Sequence, residues 1–151
     1  MVSALYKECR EGQNWPLIYR SGSGVFADDF IPEGTIVCNY GGTPVRPEHF
    51  DAWVEHFPCF SHHGTYLKIR YSSTESEPDT EKYLIHTYPS VKKLFGPYLS
   101  HFSSSPNLID FVFVDLDTDE LDVLFFARRN IPAGIKLGWD FDRFATHLYT
   151  K

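Results

Sequence analysis

Leu108-Ile109-Asp110-Phe111-Val112-Phe113-Val114-Asp115-Leu116, then Asp117-Thr118-Asp119-Glu120, then Leu121-Asp122-Val123-Leu124-Phe125-Phe126-Ala127, reads as two β-rich runs joined by a polar turn. A hairpin is the natural reading of such a pair. The turn Asn130-Ile131-Pro132-Ala133-Gly134 follows and leads to Leu137-Gly138-Trp139-Asp140-Phe141. The same rhythm governs the N-terminal half. Leu17-Ile18-Tyr19 and Val25-Phe26-Ala27 flank Arg20-Ser21-Gly22-Ser23-Gly24, and Ile31-Pro32-Glu33-Gly34 introduces the strand Thr35 to Tyr40. Gly41-Gly42 closes that strand. Tyr66 to Tyr71 and Lys82 to His86 read as further strands, separated by a polar loop from Ser72 to Glu81. One helix pattern interrupts the strands. From Pro47, the residues Phe50, Trp53, Val54 and Phe57 fall at i, i+3, i+4 and i+7, and Pro58 ends the run. The reading is mostly β (β-rich α+β), with many short strands, one short helix and no internal repeat.

Length and composition bound the function. A chain of 151 residues argues for one domain, able to bury about 68–70% of its unfolded surface. Its formal net charge of −6 disfavours a nucleic-acid binder, which would carry a basic stripe. Cys9, Cys38 and Cys59 form no Cys-x-x-Cys pair, which suggests a reducing, intracellular setting. No signal-peptide pattern and no span of about 20 apolar residues is visible, so a soluble protein without membrane contact is expected.

Several fragments, taken in order, resemble one family. Gly22-Ser23-Gly24-Val25-Phe26-Ala27, Ile31-Pro32-Glu33-Gly34-Thr35 and Tyr40-Gly41-Gly42 resemble the opening motifs of the SET-domain protein-lysine methyltransferases. Tyr98-Leu99-Ser100-His101-Phe102-Ser103-Ser104-Ser105-Pro106-Asn107 resembles their Asn-His-x-Cys-x-Pro-Asn signature. Phe125 to Gly134 resembles the closing Phe-Phe-Ala-x-Arg-x-Ile-x-x-Gly. Leu137-Gly138-Trp139-Asp140-Phe141-Asp142-Arg143-Phe144 is similar, one Gly short, to the ending of the euchromatic histone H3 lysine-9 branch.

The resemblance implies a SET-like fold of small curved sheets with a C-terminal pseudoknot. It divides the chain into an N-terminal lead (1–14), the SET-like domain (15–144) and a C-terminal tail (145–151). It implies S-adenosylmethionine as cofactor, a protein lysine as substrate, a histone tail as its source, a nuclear location and a monomer. Gly22, Ser23, Gly24, Ser100 and His101 would bind the cofactor. Ser103-Ser104-Ser105 holds one residue more than the family spacing, and a second register sets His101 over the family's Asn. Tyr40 matches the Tyr of the lysine channel, and Trp139 the aromatic position that tunes how many methyl groups are added. The ordinary reading of Tyr40 is a half-buried strand Tyr, and that of Trp139 is plain core packing.

Phe141 stands where the family carries its catalytic Tyr, keeping the ring and losing the hydroxyl. Lys68 and His86 occupy positions where the family's acidic residues grip a basic tail, and Pro97 replaces an Arg. The flanking zinc segments are not seen. These departures keep a second reading open, a catalytically inactive SET module that binds cofactor, a lysine-bearing tail or a chromatin partner.

Two rival clusters have less behind them. His56, Cys59, His62 and His63 fit no common zinc spacing, so no metal is expected. Asp115, Asp117, Asp119, Glu120 and Asp122 lack the Gly and closing Glu of a calcium loop, so a solvated turn is expected.

Overall fold

The computed structural model describes residues 15–22, 24–56, 65–71, 80–86, 95–115, 120–140 and 147–150. Eleven strands, one α-helix and a 3-10 turn form among them. The strands are β1 (Ile18–Ser21), β2 (Gly24–Ala27), β3 (Ile36–Asn39), β4 (Thr43–Val45), β5 (Thr65–Tyr71) and β6 (Thr80–His86), followed by β7 (Ser100–His101), β8 (Leu108–Asp115), β9 (Glu120–Ala127), β10 (Gly138–Trp139) and β11 (His147–Thr150). The helix α1 spans Pro47–His56, with Pro at its first position where the missing N–H costs nothing. The expected β-rich architecture of small sheets with one short helix is present.

The core is built on the β8–β9 hairpin. Its two strands pair antiparallel from Leu108↔Ala127 to Asp115↔Glu120. β9 also pairs with β3, and β8 with β11, giving the order β11-β8-β9-β3. β9, with a neighbour on each side, is buried from Leu121 to Phe125, and Asp122 is the one charged residue in that run. Val112, Val123, Leu124 and Phe125 are at most 1% exposed. Each such side chain contributes roughly 1.5–3 kcal/mol of transfer free energy. α1 lies on a separate three-stranded sheet, β4-β6-β5, where Phe50 stacks on Tyr83 with centroids 4.0 Å apart.

Two turns that read as separate punctuation pair with each other. Ile31 and Ile131 exchange reciprocal backbone hydrogen bonds, both 2.8 Å. The Gly34 amide donates to the Ala127 carbonyl at 2.8 Å, and the Gly134 amide to the Ala27 carbonyl at 2.7 Å. Ala127 in turn donates to Thr35, and Ala27 to Ile135, each at 2.9 Å. Gly34 and Gly134 both sit in the left-handed region, at φ 85° and 86°. The two turns thus pair pseudo-symmetrically, through equivalent backbone bonds. The two copies share Ile-Pro-x-Gly but differ at Asp28-Asp29-Phe30 and Arg128-Arg129-Asn130, so the sequence match is thin.

Three boundaries differ from expectation. β6 begins at Thr80, inside the stretch read as a polar loop. Thr43-Pro44-Val45 forms β4 despite its proline, because β4 is an edge strand where a missing N–H is tolerated. His147–Thr150, set aside as tail, pairs parallel with Phe111–Val114.

Candidate active site

The segment Lys136–Trp139 organises the site. On one side the Leu137 amide donates to the Val25 carbonyl at 2.8 Å, and Lys136 bridges to Phe26. On the other side, the Ser100 amide donates to the Leu137 carbonyl at 3.3 Å and the Phe102 amide to the Trp139 carbonyl at 2.9 Å. β10 and β7 run parallel, with Gly138 opposite Ser100 and Trp139 opposite His101. One inserted peptide therefore joins the glycine hairpin of β1–β2 to the Ser-His segment. At about 4.8 Å per strand spacing, Val25 and Ser100 stand roughly 10 Å apart.

Asn107 fixes this insertion. Its Nδ2 donates to the Lys136 carbonyl, and its Oδ1 accepts the Gly138 amide, both at 2.9 Å. The residue is 5% exposed, and its own carbonyl accepts the Arg128 amide at 2.9 Å. Asn107 belongs to the quoted signature, but sequence reasoning gave it no role. A polar side chain next to a Pro, ahead of an apolar strand, was the available signal.

A second tie links β1 to the same region. The Arg20 guanidinium lies 3.8 Å from the centroid of the Tyr98 ring, in the 3-10 turn Gly96–Tyr98. That turn also abuts β3. A Cβ on Gly96 would stand 2.5 Å from the Asn39 carbonyl oxygen and from the Tyr40 Cα. Only glycine allows the backbone before Ser100-His101 to lie against Asn39-Tyr40.

The expected site residues divide as follows. Gly24, Ser100 and His101 flank the inserted peptide, and Gly22 lies in the turn just before Gly24. Tyr40 and Trp139, 5% and 2% exposed, share one core cluster, and Trp139 packs against Phe125 at 4.9 Å between centroids. His101 places Nδ1 4.0 Å from Asp140 Oδ1. Ser23 and Phe141 lie outside the described residues, as do Cys59, His62 and His63. A Cβ on Gly22 would meet open space, whereas at Gly24 the Phe26 ring and the Lys136 chain already stand at 3.1 and 3.2 Å. The turn is open at its first glycine and covered at its second. Lys68 and Arg70 both reach Glu81, at 3.5 and 3.2 Å.

The acidic cluster divides: Glu120 is exposed as expected, Asp117 and Asp119 lie outside the described residues, and two members are buried. Asp115 and Asp122 are 7% and 2% exposed, and Asp122 accepts hydrogen bonds from β3. Cys38 is also fully buried. Burial first, and the Asp122 charge second, push its thiol far above the ordinary range.

Small sheets clasping an inserted C-terminal peptide between a glycine hairpin and a Ser-His segment define a SET-like domain. The SET-domain profile matches residues 22–142, and the chain belongs to that family, a family of protein methyltransferases. No curated protein sequence matches it. Among solved structures it is similar to CpSET8 from Cryptosporidium, with a TM-score of 0.65 and 18% identity, over 91% of this chain and 62% of that one. That likeness concerns the fold, and the chain spans under two thirds of that structure's length. Among the described residues, no helix is long and apolar enough to cross a membrane.

Proposed function

We propose that the domain transfers a methyl group from S-adenosylmethionine to a protein lysine. The observation that supports this is the placement of the glycine hairpin and the Ser100-His101 segment on opposite flanks of Leu137. The residues present suit the cofactor. Gly22 leaves open space where a side chain would stand, so a ligand can approach the turn backbone closely, and His101 offers a partly exposed imidazole across the insertion. When bound, S-adenosylmethionine supplies an electrophilic sulfonium methyl.

The chain's own residues would serve the lysine. An amine with an ordinary pKa of about 10.4 must lose its proton before it attacks. Tyr40 and Trp139, both in the apolar core cluster, supply walls that disfavour the ammonium by desolvation and orient the lone pair. The neutral nitrogen would receive the methyl carbon of S-adenosylmethionine with loss of that carbon's bond to sulfur, and the surplus proton of the methylated amine would leave to solvent. Phe141 supplies a ring without the hydroxyl that the family resemblance places there.

Histone H3 and the euchromatic lysine-9 branch are the finer reading, supported by the Leu137 to Phe144 resemblance, and a nuclear location goes with it. Glu81 is already paired with Lys68 and Arg70, so that face carries a net positive charge and offers a basic tail no attraction. The absent hydroxyl at Phe141, with Ser100 in place of Asn, favours a second reading, a module that binds without turnover. Radiolabelled transfer to histones and nuclear extract, paired with calorimetric cofactor titration, separates the two. Binding with transfer supports the enzyme, and binding without transfer supports the module. Transfer absent even in Phe141→Tyr would overturn the enzymatic reading.

A further inference from the structure

Asp122 lies on the central strand β9, 2% exposed. A carboxylate in such a place is strongly destabilising unless donors meet its oxygens. Three donors do. Oδ1 accepts the amides of Gly41 and Val123, both at 2.8 Å, and Oδ2 accepts Asn39 Nδ2 at 2.7 Å. The residue between Asn39 and Gly41 is Tyr40, whose amide donates to the Val123 carbonyl at 2.8 Å. Both chain neighbours of Tyr40 are thus tied to one carboxylate, and Tyr40 itself to the next residue along β9. Gly41 and Gly42 then turn the chain away through the left-handed region, at φ 72° and 92°.

We infer that Asp122 is a positioning residue, holding Tyr40 in register for the lysine side of the site. The inference rests on the lysine-transfer reading above. Its physical basis is the donor pattern. Gly41, Val123 and Asn39 all donate to the two oxygens, so an apolar residue at this position would leave three donors unmet. An amide is tolerated there, because its carbonyl oxygen still serves Gly41 and Val123 while the Asn39 amide rotates to present its own oxygen to the new NH₂.

The test compares Asp122→Leu, which removes both acceptors, with the conservative Asp122→Asn, which keeps them. Three readouts are used: radiolabelled transfer to histones, calorimetric titration with S-adenosylhomocysteine, and amide hydrogen exchange. In Asp122→Leu, kcat should fall about 10- to 100-fold, as displacement of a positioning group by an ångström does. Cofactor affinity should stay within twofold. Exchange at Tyr40 and Gly41 should accelerate while Val25 and Leu137 keep their protection. Asp122→Asn should retain both kcat and protection. Equal loss of protection at Val25 and Leu137 in Asp122→Leu, or the same losses in Asp122→Asn, would overturn the inference. If the parent chain transfers no methyl, the lysine-transfer reading falls on that result alone. Local exchange and its retention in Asp122→Asn then decide the positioning claim.

Discussion

The Asn107 side chain holds Gly138 at 2.9 Å, and through it the whole insertion on which the site depends. Because the same side chain also serves the Lys136 carbonyl, its removal orphans one buried and one part-buried backbone group at once. Each unmet group costs about 1–3 kcal/mol. Asn107→Ala should therefore destabilise the fold by roughly 2–4 kcal/mol, lowering Tm on the order of 10 °C in a domain of this size. Calorimetric melting checks the value, and an unchanged Tm would mean that the clamp contributes nothing.

Gly96→Ala tests the close approach of the 3-10 turn to Tyr40. The added Cβ would meet backbone rather than a movable side chain, at 2.5 Å. Overpacking of this kind costs about 1–3 kcal/mol. The expected result is a lower Tm, with amide shifts concentrated at Asn39, Tyr40 and Ser100 in a heteronuclear spectrum.

Cys38 gives a pH dependence whose sign follows from burial. Its thiol stays protonated in the folded chain, whereas the unfolded thiol ionises near an ordinary value of about 8.5. Below that value both states hold the proton and stability is unaffected. Above it the unfolded state holds fewer protons, so stability falls as pH rises. In a Cys9→Ser/Cys59→Ser background, the remaining thiol should resist a disulfide reagent at pH 8 until denaturant is added. Denaturant melts from pH 8 to 10 should show a slope that Cys38→Ala removes.

Phe141→Tyr should raise methyl transfer by about 10²–10³, the usual value of one positioned polar group in a transition state. A radiolabelled assay with and without the substitution measures it. Unchanged cofactor affinity is expected alongside.

What the sequence made legible was local. The β8–β9 hairpin and α1 announce themselves through alternation and helical spacing within short windows. The glycine hairpin, Ser100-His101 and Trp139 stand out as candidates because their motifs follow a recognisable order. The residues that escaped depend on long-range pairing. Asp122 sits in an acidic run that looks solvated, and only the packing of β3 against β9 turns it inward. Asn107 has a role only once Lys136 and Gly138 lie beside it. β4 was hidden by Pro44, since nothing local tells an edge strand from a loop. The Ile31–Ile131 pairing escaped because two distant turns share few side chains while making the same backbone bonds.

The central claim is that the glycine turn and the Ser-His segment form one cofactor site across Leu137. Titrating the isotopically labelled domain with S-adenosylmethionine, and following each backbone amide by heteronuclear NMR, tests it most directly. The account predicts that Gly22, Ser23, Gly24, Ser100 and His101 shift together along one saturation curve. Shifts confined to one of the two segments, or absent from both at saturating ligand, would contradict it.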